Sequence, residues 1–409
     1  MPSPAVPALR LRDLPHPVMA GLVSVIVNYG GTFILVFQAA KVAGLGPQLT
    51  ASWVGSVSIG VGLTGLLLSW RYREPIITAW STPAAAFLVT ALAATPWAEA
   101  VGAFLLSAAG FVMLGLSGRF ERVIRRVPPG VAAGLLAGIL LQFGIKAFAG
   151  LDVDPLLAGG LILAYVVLKR VSARYAVVGI LLAGLGLLLA QGRIDLGGLE
   201  LRLATPVFTM PAFTFNALLG VALPLFLITL TGQYMPGMLV LRNDGFRTRA
   251  DPIVTTTGLG SLLMAPFGSH AINIAAITAA ICTGREAHED PSRRWIAGVA
   301  AGVFYLLVGM FGVTLAALFM ALPATFITTL AGLALLGTLG GSLAAAVADA
   351  RTRETALITF LAAAANITLF GIGGAFWGLV IGLLAHLLLN VRLPAGRQPA
   401  LADTGASRP

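Results

Sequence analysis

The stretch Ala265-Pro266-Phe267-Gly268-Ser269-His270-Ala271-Ile272-Asn273 sets an imidazole, a hydroxyl and an amide inside a long apolar region of the chain. Imidazole exchanges its proton near neutral pH, and a titratable group held at membrane depth is costly enough to imply a use. The chemistry on offer is proton exchange or hydrogen bonding to an anion. Three more polar islands lie in apolar runs: Asn28-Tyr29-Gly30-Gly31, Ala79-Trp80-Ser81-Thr82-Pro83 and Gln233-Tyr234-Met235-Pro236-Gly237. All 16 acidic residues fall in loops or at the edges of apolar runs. His270 is thus the one side chain near these islands whose proton is expected to come and go. A nucleophile with its base, a carboxylate pair or a metal set is missing, so an intramembrane enzyme is not expected and no cofactor is implied.

The elements that must carry these islands follow from composition. The 409 residues are 58% hydrophobic and only 10% charged, against roughly 25% charged in soluble domains; mean hydropathy is +0.93. A polytopic, all-helical membrane protein is expected. Apolar runs near the ~20 residues needed to cross a bilayer fall at 17–40, 49–69, 76–94, 98–117, 130–148, 154–168 and 173–190, then at 214–241, 252–265, 269–283, 295–320, 323–347, 355–370 and 371–391. That makes about 14 segments, with a cut at Gly371-Ile372-Gly373-Gly374. The polar start and the length of the first apolar run argue against a cleavable signal peptide.

Charge tests this count independently. With the amino terminus inside, all of the 26 basic residues except Lys41, Lys146, Arg193 and Arg202 fall in alternate, cytoplasmic segments. They run from Arg10 and Arg12 through Arg71, Arg73, Arg119, Arg122, Arg125, Arg126, Lys169, Arg170, Arg174, Arg242, Arg247, Arg249, Arg285, Arg293, Arg294, Arg351 and Arg353 to Arg392, Arg397 and Arg408. A missed span would scramble this parity. Both termini are expected in the cytoplasm, in a cell (inner) membrane. The net charge of +10 therefore reads as topology signal, and no nucleic-acid partner is expected. The lone Cys282 excludes an internal disulfide.

Seven spans on each side of the polar loop 191–213 imply two repeats of seven in opposite orientation. The islands fall in matched places: the first span of each half carries an amide and a tyrosine, Asn28-Tyr29 and Gln233-Tyr234. The third begins abnormally, at Ala79–Pro83 and at Pro266–His270. Interrupted helices at matching positions of inverted repeats point to a secondary transporter with a midplane site. A helix that starts inside the membrane leaves backbone N–H groups unpaired and favours an anion. Ser81, Thr82 and Ser269 are suitable cap types, and Pro83 suits the first turn. Polar residues gathered at one depth favour one occluded site over a channel.

The stretches Gly232–Met238, Leu241-Arg242-Asn243-Asp244-Gly245-Phe246, Pro266–Asn273 and Ala287-His288-Glu289-Asp290-Pro291 resemble the benzoate/proton symporters of the BenE type, over essentially the whole chain from Pro17 to Arg392. That family is in turn similar to the uracil/xanthine nucleobase permeases. The resemblance implies fourteen segments in two inverted repeats, with the third and tenth each a short strand followed by a half helix. It implies a tail at 1–16, a core domain at 17–118 and 214–320, a gate domain at 119–192 and 321–392, an outer loop at 193–213 and a tail at 393–409. It also leaves room for a homodimer. The nucleobase permeases carry acids in the eighth and tenth segments; here alignment on Ala276-Ile277-Thr278 places Gln233 and His270 there. Loss of both carboxylates fits an anionic substrate, which they would repel.

The mechanism implied is import of benzoate or a similar aromatic carboxylate with a proton. Protonated His270, in the first turn of the half helix of the tenth segment, would neutralise the carboxylate together with the helix starts at Ser269 and at Ser81 and Thr82, with Gly268 and Asn273 beside them. Gln233, Tyr234, Asn28 and Tyr29 would bond and shape the rest, and Phe267 would wall the ring. A second route has the substrate's own carboxyl carry the proton, with His270 only donating a hydrogen bond. Packing between helices is the competing use for each of these polar side chains. Another small anion or a nucleobase on the same fold is the alternative substrate.

Overall fold

The computed structural model describes residues 14–124, 128–171, 176–194, 201–276, 278–285, 287–367, 369 and 374–390. Arg10, Arg12, Arg125, Arg126, Arg174, Arg392, Arg397 and Arg408, residues 1–13 of the expected amino-terminal tail, the whole expected carboxy-terminal tail and the cut at Gly371-Ile372-Gly373 lie outside the described residues, while the tail expected to reach residue 16 gives way to helix at Pro15.

A bilayer supplies no hydrogen bonds, so apolar segments close their backbone bonds internally as helices. In the first half these are α1 (Pro15–Thr32), α2 (Ile34–Val42) and α3 (Pro47–Tyr72), then strand β1 (Thr78–Trp80) and α4 (Thr82–Ala91). There follow α5 (Trp97–Leu116), α6 (Phe120–Ile124), α7 (Pro129–Val153), α8 (Pro155–Val171) and α9 (Ala176–Ala190). Prolines open α1, α3 and α7, where the missing N–H has no helical partner to lose.

The second half begins with α10 (Phe215–Ala217), α11 (Leu223–Thr229) and α12 (Met235–Asn243), one continuous helix interrupted by π-helical turns at Leu218–Ala222 and Leu230–Tyr234. Each turn lies just before a proline, Pro224 or Pro236, which removes an N–H from the ladder and makes room for the wider turn. Then come α13 (Ala250–Met264), strand β2 (Ile272–Ile274), α14 (Ala279–Thr283), α15 (Trp295–Met310), α16 (Gly312–Met320), α17 (Ala324–Val347), α18 (Arg353–Ala364) and α19 (Gly374–Asn390). The span expected over 295–320 is thus two helices, because Phe311 leaves helical geometry ahead of Gly312. Among the described residues, 7 helical stretches are long and apolar enough to cross a membrane.

Helix α3 packs against α13, α15 and α16, while α7 packs against α17, α18 and α19. Against α3 and α13, β1 and β2 pair antiparallel, Thr78 opposite Ile274 and Trp80 opposite Ile272, all six residues buried. Flanking bonds extend the pair: Ser81 N–H to Ala271 O (3.3 Å) and Ala275 N–H to Ile77 O (2.8 Å). Each strand meets the backbone need of the other where no water is at hand.

Loops at one end of the bundle gather the basic residues. Arg73 lies 4.1 Å from the Trp295 ring, Glu74 accepts from the backbone N–H groups of Arg247 and Thr248 (3.1 Å each), and Arg242 pairs with Glu121. At the other end Arg193 pairs with Asp154 at 2.6 Å and, with the Leu157 N–H, holds that carboxyl below its ordinary range. There too an extended strap over 201–213 is stitched down by Ala204 N–H to Met310 O (2.7 Å), Val207 N–H to Ser52 Oγ (2.8 Å), Thr209 N–H to Pro266 O (2.8 Å) and Ala212 N–H to Ala98 O (2.9 Å).

Candidate functional site

Helix α4 starts inside the bundle at the end of β1. Ser81 is its cap, with Oγ accepting from Ala84 N–H at 3.3 Å, and Pro83 stands in the first turn as expected. The Thr229 hydroxyl, from α11, donates to the same oxygen at 3.0 Å. Ser81 is 0% exposed, so it holds the start without facing any ligand space.

In front of this start lies a cavity of about 780 Å³. Its polar lining comes from Asn28 and Thr32 of α1, Trp80 of β1, Thr82 of α4, Gln233 of the π turn and Thr278 before α14. Lys169 of α8 and Arg285, just after α14, add two cations, and no carboxylate is among the lining residues described. Asn28 donates to the Tyr305 hydroxyl (2.7 Å) and Trp80 Nε1–H to Thr32 Oγ1 (3.2 Å). Thr82 and Gln233 are each only 8% exposed, yet neither side chain bonds another described residue. Their polar atoms open on the cavity, where a ligand can take the place of water as the hydrogen-bond partner.

Of the residues expected at the site, Asn28, Thr82 and Gln233 line this cavity; Ser81 stands behind it. The other seven do not line it. Tyr29 donates to Ser58 Oγ (2.5 Å) and packs on Phe33 and Trp80. Tyr234, one residue from Gln233, turns to the opposite side and bonds Thr257 (2.7 Å) and Ile272 O (3.3 Å). Asn273 lies opposite Ala79 in the sheet; in the amide orientation that satisfies both groups it accepts from Ser81 N–H and donates to Ile274 O, each at 2.9 Å.

The expectation that His270 opens a half helix is corrected. The strand pairing equates Thr78–Trp80 with Ile272–Ile274, so the counterparts of Ser81 and Thr82 are Ala275 and Ala276. Ser269 and His270 come before the strand, and α14 starts only at Ala279, with no side-chain cap. The physical reason is that Ile272 and Ile274 are β-branched and must pair with β1 before any helix can form. His270 is 1% exposed and boxed in by Trp53 and Phe104. Trp53 Nε1–H donates to its Nδ1 at 3.1 Å, while Nε2 makes no hydrogen bond. With Nδ1 accepting, the ring proton sits on Nε2. Ser269 Oγ is also buried without a partner. Gly268 takes φ +105°, and an added Cβ would lie 3.0 Å from Trp53 Cβ. Phe267 O accepts from Ser52 (2.9 Å) and Ser56 (3.1 Å), under the strap.

Sequence reasoning missed Thr32, Trp80, Thr278, Lys169 and Arg285. Thr32 lies one helical turn beyond Asn28, so its shared face was there to be read. Lys169 and Arg285 looked like ordinary topology charges, and nothing local distinguishes them from their neighbours.

Comparison with known proteins bears on the family and the fold. The family model described as benzoate membrane transport protein, BenE, matches residues 13–388. The chain is 41% identical over 384 residues to the inner membrane protein YdcO of Escherichia coli K12, covering 94% of this chain and 98% of that protein. It is 39% identical over 371 residues to the benzoate membrane transport protein of Acinetobacter baylyi, covering 91% and 94%. Among solved structures, SLC26A9 aligns with TM-score 0.62 at 13% identity, over 93% of this chain and 66% of that one. The transmembrane domain of the cyanobacterial bicarbonate transporter BicA aligns with TM-score 0.59 at 15% identity, over 93% and 98%. These last two likenesses concern the fold. By sequence, the chain belongs to the benzoate membrane transport protein family.

Proposed function

We propose that the chain is a secondary transporter that imports benzoate or a similar aromatic carboxylate together with a proton, by alternating access around the cavity at Thr82 and Gln233. The observation that supports this reading is the cavity lining: two polar side chains that bond no other described residue, two cations and, among the described residues, no carboxylate, set at a helix start inside the bundle. Such a lining suits a small anion and would penalise none of its charge. In this reading the chain crosses an inner membrane fourteen times, in two inverted sevens. The group around α3, α13 and α15 is the moving core, and the group around α7, α17 and α18 is the gate.

Proton coupling is assigned to His270 acting from behind the strands. Its neighbour Ala271 accepts from Ser81 N–H, and Ser81 caps α4. A second proton on the ring would set an Nδ1–H against the Trp53 N–H, two donors face to face. The charged ring must therefore rearrange α3 or the strand pair, and with them the helix start at the cavity. The competing route has the substrate's own carboxyl as carrier, and no acid is among the described lining residues.

The test is uptake of labelled benzoate by proteoliposomes under an imposed inward proton gradient. Accumulation that collapses with a protonophore supports symport. Gradient-independent conductance, or uptake of uracil but not benzoate, sinks the reading.

A further inference from the structure

The cavity does not end at Thr82 and Gln233. A second lobe of about 570 Å³ continues from it and shares Thr82, Gln233, Ala276, Gly337 and Thr338 with the first. Its character differs. Where the first lobe has Asn28, Lys169 and Arg285, the second has Pro83, Ala132, Ala133, Leu136 and Pro236, and no charged residue is among the described residues that line it. The two buried, unpartnered side chains stand at the junction of a polar lobe and an apolar one.

The wall supplied by α17 is open. Gly337 and Gly341 stand one helical turn apart, and a Cβ added at either would meet nothing within 4 Å. Across the lobe, α7 comes close to the core: a Cβ at Gly232 would lie 3.1 Å from Pro83 Cγ and 3.6 Å from Leu136 Cδ2. Space of this size holds ligands well beyond one ring with a carboxylate, since pockets of ~300–1,000 Å³ take drug-sized molecules.

We propose that this lobe is the ring-side half of a two-part substrate site, and that it admits aromatic carboxylates with bulky apolar ring substituents. This rests on the aromatic-carboxylate reading above. The carboxylate stays at Thr82 and Gln233, because the second lobe offers it no cation and burial without a partner is costly. The ring and its substituent enter the lobe, where they lose only contact with water. Glycine at 341 leaves the room that the substituent fills, and Leu136 sets the far wall.

The experiment compares uptake of benzoate and of 4-phenylbenzoate by wild type, Gly341→Val, Gly341→Ala and Gly340→Val. Gly340 is exposed on the same helix, has equal space for a Cβ and lines neither lobe, so its valine carries the backbone cost without the filling. The expected result is that Gly341→Val lowers the ratio of 4-phenylbenzoate to benzoate kcat/KM roughly tenfold, the size of a pocket-filling discrimination. Gly341→Ala should lower it less, and Gly340→Val should leave it at the wild-type value. Equal loss of both substrates at position 341, or the same ratio change at position 340, overturns the proposal. So does a wild type that moves benzoate but not 4-phenylbenzoate, which leaves the transport reading standing. A wild type that moves no aromatic carboxylate overturns both. Should Gly341→Val not fold, Gly341→Ala and competition of 4-phenylbenzoate against benzoate uptake decide the matter alone.

Discussion

The chain passes from strand to helix twice inside the bundle, and the two passages differ. At the first, β1 runs through Ser81 straight into the 10-residue α4, with its cap bonded and its first residue facing the cavity. At the second, β2 ends at Ile274, and only the 5-residue α14 follows, from Ala279, without a side-chain cap. The side chains differ as well. The first passage carries neutral hydroxyls and opens to ligand space; the second has its titratable residue ahead of the strand, closed in by Trp53 and the strap. Because the strands are antiparallel, the exit of one lies beside the entrance of the other. In the proposed function one end of the crossing would touch the substrate and the other would take the proton, with Ser81 N–H to Ala271 O as the bond between them.

That division of labour can be broken. The largest effect is expected for His270→Ala, which should cut proton-driven accumulation of benzoate at least tenfold while benzoate binding, measured by calorimetry on purified protein, persists. Loss of binding in step with uptake would erase the distinction between the two passages. Next, Gln233→Ala should raise the half-saturation concentration roughly tenfold, as for a hydrogen bond to a charged group, with pH dependence unchanged. Thr82→Val should do the same more weakly. A shifted pH profile in either variant would move the proton to the cavity side. The smallest effect is expected at the cations: Lys169→Gln and Arg285→Gln should each weaken counterflow from the basic end about twofold, and 1 M salt should remove the difference, since exposed charges are screened over a few ångströms there. A salt-independent loss would mean direct coordination.

Much of this was legible in the sequence because local chemistry fixes it. Serine is a favoured cap and proline a favoured first-turn residue, and Ser81 and Pro83, two apart, act so here. Gln233, Thr82 and Asn28 were identifiable as polar groups in apolar spans. What sequence could not give was register. Ile272-Asn273-Ile274-Ala275-Ala276 reads equally as strand or helix over so short a run, and only pairing with Thr78–Trp80 decides it. Misjudging that run shifted His270 to the wrong end of the passage. The direction of Tyr234 was hidden for a related reason: two neighbours on a helix face different ways, and nothing local says which one meets the cavity. The double role of Lys169 and Arg285 depends on α8 and the segment after α14 meeting at one cavity, a contact between distant parts of the chain.

The π turn at Leu230–Tyr234 bears on that last choice. A wider turn packs more residues into one revolution, so the helix leaves it out of phase with an α-helix of the same length by about one residue, or ~100°. Phase is therefore an adjustable quantity of this helix, set by Pro236 rather than by the segments on either side. It decides that an amide and not a phenol looks into the cavity. Shortening the chain by one residue at Leu230, which lines neither lobe, would turn the amide away without altering a single lining residue, which makes the character of the cavity a matter of screw geometry as much as of composition.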